Sequence, residues 1–114
     1  MAPGEVAEIK KIRAAIRVAM RTLTQTDGCL PYPYVDIFAE RCDDGRWFCR
    51  TRARTRYGNM DNPMEDTPFL VGAIKKSELL AYRALLRRVS LELRRKLARV
   101  VKALKLVLEA ADVS

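Results

Sequence analysis

The stretch SELLAYRALLRRVSLELRRKLARVVKALKLVLEAA, Ser77 to Ala111, contains neither proline nor glycine. Leu79, Tyr82, Leu86, Val89, Leu93, Leu97, Val100, Leu104 and Val107 recur in it at steps of three and four. That spacing lays one apolar stripe along a helix and predicts a long helix over 77–111, with Ser77 either capping it or lying inside a longer one. Arg83, Arg87, Arg88, Arg94, Arg95, Arg99, Lys102 and Lys105 fall on the other side of the same wheel. A single element therefore carries a packing surface and a cationic surface.

Such a helix would run about 50 Å, whereas a compact domain of this chain length has a radius of gyration of about 13 Å. Either the helix breaks, with Ser90 the natural place, or part of its stripe packs against another chain. Val100, Val101, Leu104, Val107 and Leu108 form a dense apolar end with little left in the sequence to cover it. These five residues are the expected oligomer interface of a homodimer or larger assembly.

Working toward the N-terminus, residues 69–74 (FLVGAI) read either as a third short strand or as a helical turn opened by Asp66-Thr67-Pro68. Before them, GNMDNPMEDTP at 58–68 is a polar loop bearing Asp61, Glu65 and Asp66. Its acids match no calcium-loop spacing, so no metal is expected there.

Residues 34–57 read as a hairpin. Tyr34–Cys42 and Arg46–Tyr57 both alternate, and Asp43-Asp44-Gly45 is a turn signal between them. A three-residue loop ending in a left-handed glycine pairs Ala39 with Cys49, Ile37 with Thr51 and Val35 with Ala53 on one apolar face, which Trp47 extends. The opposite face then sets Phe38 against Arg50 and Asp36 against Arg52. A two-residue turn would shift the register by one and mix the two faces. In the preferred register Cys42 and Cys49 point to opposite faces, which excludes a disulfide within the hairpin.

The same register lines up Arg46, Arg50, Arg52, Arg54 and Arg56 on one face beside Phe38 and Phe48. Like charges in a row repel. Asp36 and Glu40 offset only part of that charge, so the surplus points to a phosphate-binding surface. Phe38 and Phe48 are candidates for base stacking, although burial is the default for phenylalanine.

At the N-terminus, residues 4–24 read as an amphipathic helix with Val6, Ile9, Ile12, Ile16, Met20 and Leu23 on one face. Lys10, Arg13, Arg17 and Arg21 flank that face, with stems that cover core edges. The fold class expected for the whole chain, 1–114 as a single domain, is α+β in the order α-β-β-α.

Composition narrows the function. The chain has 114 residues, a formal charge of +8, 49% hydrophobic and 32% charged residues, and no histidine. Arginine supplies most of the positive charge, and its planar fork suits phosphate and guanine edges. Lack of histidine removes the commonest general base and metal ligand. There is no glycine-rich phosphate loop and no cysteine pair at metal spacing. The acids around the turn (Asp36, Glu40, Asp43, Asp44) have only arginines nearby, which are poor bases. We therefore expect no enzyme, no cofactor and no metal. Sparse amides (Gln25, Asn59, Asn62) with abundant arginine suit a hot-living source or equally a GC-rich genome.

The N-terminus shows no signal peptide, no run approaches a membrane span, and the three cysteines (Cys29, Cys42, Cys49) are irregularly spaced. A cytoplasmic protein with reduced thiols is the expectation, and a membrane partner is not. Two functional classes follow. One is a basic protein that binds DNA or RNA through phosphates with low sequence specificity, using Arg46, Arg50, Arg52, Arg54, Arg56, Arg83, Arg87, Arg94 and Lys105. The other is a structural or assembly subunit, such as a coat or architectural nucleoprotein component, whose main role is self-association through the last helix.

Overall fold

The structure is a computed structural model and describes residues 2–25, 34–54 and 70–113. In order, the elements are helix α1 (Pro3–Gln25), strands β1 (Tyr34–Arg41) and β2 (Trp47–Arg54), and helix α2 (Glu78–Val113). This is the expected α+β arrangement. Cys29, Arg56, the acidic loop and Phe69 lie outside the described residues, as do the side chains of Arg52 and Arg54.

Helix α1 starts where Pro3 removes an N–H that would have no partner, and Glu5 and Val6 donate back to the Ala2 carbonyl at 3.0 and 3.2 Å. Its buried face is Ile9, Ile12, Ile16, Ala19, Met20 and Leu23. Val6, expected on that face, is 45% exposed. The Lys96 ammonium on α2 donates to the Leu23 carbonyl and so satisfies a C-terminal group of α1.

The hairpin is antiparallel, with Ala39 opposite Cys49, Ile37 opposite Thr51, Phe38 opposite Arg50 and Asp36 opposite Arg52. This is the register expected from the three-residue loop. Gly45 adopts φ +86°, its N–H donates to the Cys42 carbonyl at 2.9 Å, and Cys42 donates to the Arg46 carbonyl at 2.7 Å. Ile37, Cys49 and Thr51 are buried, and Ala39 and Trp47 pack on the core edge. Cys42 and Cys49 are free thiols.

The open question over residues 69–74 resolves for Leu70 onward as extended backbone rather than a helical turn. The segment docks on the edge of β2 without forming a regular strand. Thr51 N–H donates to the Leu70 carbonyl (2.9 Å), Gly72 to Cys49 (2.9 Å), and Trp47 and Lys75 exchange both bonds at 2.7 Å. Bridges pair Arg50 with Val71 and Trp47 with Lys75, so the segment carries one residue more than β2 between them, a bulge. The buried Thr51 hydroxyl accepts from Leu70 N–H at 3.1 Å, which leaves this polar side chain satisfied.

Helix α2 closes the core. Ser77 caps it: its hydroxyl accepts from Leu80 N–H at 3.3 Å and its carbonyl from Ala81 N–H at 3.0 Å. No break occurs at Ser90; the helix runs unbroken through 36 residues. Ala81, Tyr82, Leu85 and Val89 are buried against α1 and the hairpin, and Leu79, Leu86 and Leu93 pack at the margin. Beyond Lys96 the helix leaves the body, and every described side chain from Leu97 on is exposed. At 1.5 Å per residue it is about 54 Å long, and the molecule measures 61 × 31 × 24 Å.

One contact fixes the docked segment to α2. A Cβ placed on Gly72 would lie 2.7 Å from the Leu85 backbone nitrogen and 2.9 Å from its Cα. Backbone cannot move aside as a flexible side chain would. Replacing Gly72 by Ala should therefore cost about 1–3 kcal/mol of stability, the scale of overpacking a tight core. Urea denaturation checks this. Gly4→Ala, where nothing lies within 4 Å, is the matched control and should be neutral or better.

Candidate nucleic-acid interface

The outer face of the hairpin places the first part of the arginine ladder. Arg46 Nε donates to Asp44 Oδ2 at 2.6 Å, and Arg50 Nε to Glu40 Oε1 at 2.9 Å. Arg50 also stacks on Phe38, with its guanidinium carbon 5.0 Å from the ring centroid. The ladder therefore brings its own carboxylates near the turn. Glu40 was expected in that role; Asp44 was not, because turn chemistry explained it. Asp44 is held below its ordinary carboxyl range by the Arg46 backbone N–H and then by the Arg46 side chain. Arg52 and Arg54 continue β2, opposite Asp36 and Tyr34. Phe38 and Phe48 are half-buried, and neither joins the buried core that default burial favoured.

A second basic region forms where the docked segment meets α2. Val71, Ala73 and Lys75 on one side, and Leu80, Arg83, Ala84, Arg87, Arg88 and Leu91 on the other, line an open groove of about 480 Å³. Four cations surround an apolar floor. Arg83 is tied to Glu8 of α1 at 2.9 Å through Nε, and Arg88 to Glu92 at 3.0 Å. The side chains of Lys75 and Arg87 form no ion pair with any described residue. The Arg50–Val71 bridge places the ladder strand directly beside the groove wall. Lys75 was not legible as a site residue, because its position depends on where the docked segment lies.

The row continues outward along α2. Arg83, Arg87, Arg94 and Lys105 fall within an arc of about 40° at 100° per residue, spread over about 33 Å of helix. Arg87, Arg94, Arg99, Lys102 and Lys105 are all exposed and unpaired among the described residues. Arg95 shares Glu92 with Arg88. No family model, curated protein or solved structure matches this chain. The site is thus read from its own geometry.

Arg13 has a different role from its neighbours on α1. Its Nη1 donates to the Tyr82 hydroxyl at 2.8 Å and to the Ile37 carbonyl at 3.4 Å, joining α1, β1 and α2. Burial pushes the Tyr82 hydroxyl above its ordinary value, and the Arg13 hydrogen bond opposes that rise. This arginine serves the core rather than the basic surface.

Among the described residues no group of three or more His, Cys, Asp or Glu could hold a metal. No described helix is long and apolar enough to cross a membrane. The Cys49 thiol is fully covered, and burial followed by the nearby Glu78 pushes it from 9.0 up to about 12. Such a thiol is unreactive at neutral pH. In native protein at pH 8, alkylation mapped by mass spectrometry should reach Cys42 well before Cys49. The sign of the pH effect follows. The fold favours the protonated thiol, so this group's stabilisation is complete below pH 9 and is lost as pH rises toward 12. Replacing Cys49 by Ala should flatten that alkaline decline in denaturation curves.

Proposed function

We propose that the protein binds nucleic acid through phosphates, with low sequence specificity, using the groove between the docked segment and α2, the row along α2 and the hairpin ladder. The observation that carries this reading is the set of exposed cations Lys75, Arg87, Arg94, Arg99, Lys102 and Lys105, unpaired among the described residues and placed along one helix and its adjoining groove. Cations left without internal carboxylates attract polyanions and release counterions on binding. The side chains contact phosphate and carry little base information, so DNA and RNA are both substrates for this surface. Phe38 and Phe48 border the ladder, and Phe38 would stack an unpaired base only if Arg50 gives up its face. The free thiols of Cys42 and Cys49 suit a reducing, intracellular compartment.

A second reading rests on a separate observation. Leu97, Val100, Val101, Leu104, Val107 and Leu108 are 49–64% exposed on the free part of α2. That pattern favours an assembly subunit that self-associates through this helix. The two readings combine naturally in a protein that coats or organises nucleic acid as an oligomer.

Fluorescence anisotropy with random-sequence single-stranded DNA, duplex DNA and RNA, between 50 and 200 mM salt, tests the first reading. Affinity should fall steeply with salt. Lys75→Glu with Arg87→Glu should weaken binding at least tenfold and reduce the salt slope by about 2, near one unit per lost contact. Arg52→Glu with Arg54→Glu should weaken it comparably while folding survives. Absence of binding at 50 mM salt, or affinity insensitive to salt, would reject the proposal.

A further inference from the structure

Beyond Lys96, which still reaches the Leu23 carbonyl, α2 adds no residue to the core formed by the described residues. Between Leu97 and Ala111 every described side chain is exposed. Helices in water draw most of their stability from packing an amphipathic face, so a projecting helix with a bare apolar stripe is an unfinished structure. The stripe is well defined. At 100° per residue, Leu97, Val100, Val101, Leu104, Val107 and Leu108 occupy an arc of about 120°. The charged residues Arg94, Arg95, Arg99, Lys102, Lys105, Glu109 and Asp112 all lie outside it. The stripe is continuous with Leu79, Leu86 and Leu93, the margin of the core. Its steps of three and four are those of a helix seam that packs against another helix.

Charge identifies the occupant and its direction. The cations of this segment lie between Arg94 and Lys105, and both its acids, Glu109 and Asp112, lie at the end. Two copies side by side in the same direction would set cations against cations and acids against acids. Reversing one copy sets the acidic end of each against the basic start of the other. With the crossing point between Val101 and Leu104, Leu97 of one copy meets Leu108 of the other. Arg94 and Asp112 lie on the same flank of the stripe, and the antiparallel arrangement pairs like flanks. Arg94 of each copy then faces Asp112 of the other, twice by symmetry.

We propose that the free half of α2 is the dimer interface: it packs antiparallel on the same segment of a second copy, with reciprocal Arg94–Asp112 pairs fixing the register. This rests on the self-association reading and deepens it. It also reassigns Arg94 from phosphate contact to pairing, leaving Arg87, Arg99, Lys102 and Lys105 as the free cations of the helix. The two bodies would sit at opposite ends of the pair, with a basic groove on each.

The test uses the full chain without nucleic acid, at micromolar concentration. Light scattering coupled to gel filtration gives the mass, and dilution gives the dissociation constant. Wild type should be a dimer, and Leu104→Glu should be a folded monomer with the circular dichroism of the body retained. Arg94→Glu and Asp112→Arg should each weaken the dimer about tenfold, since each breaks two pairs, and the double swap should recover most of that loss. A wild-type monomer, or one that associates only with anionic vesicles, would overturn both this proposal and the self-association reading. A trimer or larger assembly, a Leu104→Glu dimer, or a double swap weaker than either single variant would overturn the antiparallel pairing alone. Nucleic-acid binding is not the readout, so its failure would leave this result intact.

Discussion

The structure depends on the burial of one stretch of α2, from Ala81 to Val89, against α1 and the inner face of the hairpin. Ala81, Leu85 and Val89 have no exposed surface, and Ile16 and Met20 from α1 meet them with none either. Burying side chains the size of Leu85, Val89, Ile16 and Met20 stabilises by about 1.5–3 kcal/mol each, so a few residues from distant parts of the chain hold the domain together. The hydrogen bonds of Arg13 and the capping of α1 by Lys96 act on that packed core rather than replacing it. Gly72 belongs to the same constraint. Only a residue without a side chain lets the docked segment lie against the α2 backbone while it covers the edge of β2.

That core uses only the first half of a helix whose apolar stripe does not stop where the core stops. The consequence is spatial. The second half carries both its apolar stripe and its cations away from the body, so two surfaces of opposite chemistry are presented on one rod. A shorter helix would have kept the same core and lost both. The groove beside Lys75 and Arg87 lies at the root of the rod, where the docked segment and α2 diverge. The ladder strand adjoins it through the bridge at Val71. The basic surface is therefore an extension of the packing geometry and not a separate module.

Much of this was legible in the sequence because the governing patterns are local. The hairpin register follows from Asp43-Asp44-Gly45 and the alternation on either side of it, whereas the pattern leaves Ser77 between a cap and an interior position, and only the bond its hydroxyl accepts from Leu80 N–H decides. The stripe from Leu79 to Val107 announced both the buried and the bare half of α2, since its length exceeds what so short a chain can cover. What stayed hidden depends on contacts between distant segments. Lys75 becomes a groove residue only when the docked segment finds the edge of β2. Arg13 looked like any flank arginine until Tyr82 and Ile37 came beside it. Phe38 reads as a stacking candidate set against the default of burial; it stays half-buried, and Arg50, opposite it, lies over the ring. The acids that quiet the ladder are split between the paired strand and the turn, and only the turn geometry shows that Asp44 reaches Arg46.

The central claim is that α2 has two halves with different supports, the first held by its own chain and the second by another copy. Hydrogen–deuterium exchange of the protein alone, measured across a hundredfold range of concentration, addresses it most directly. Amides from Ala81 to Leu93 should be protected equally at every concentration, and amides from Leu97 to Ala111 should lose protection on dilution. Distal amides whose exchange is the same at all concentrations, whether protected or open throughout, would contradict the account.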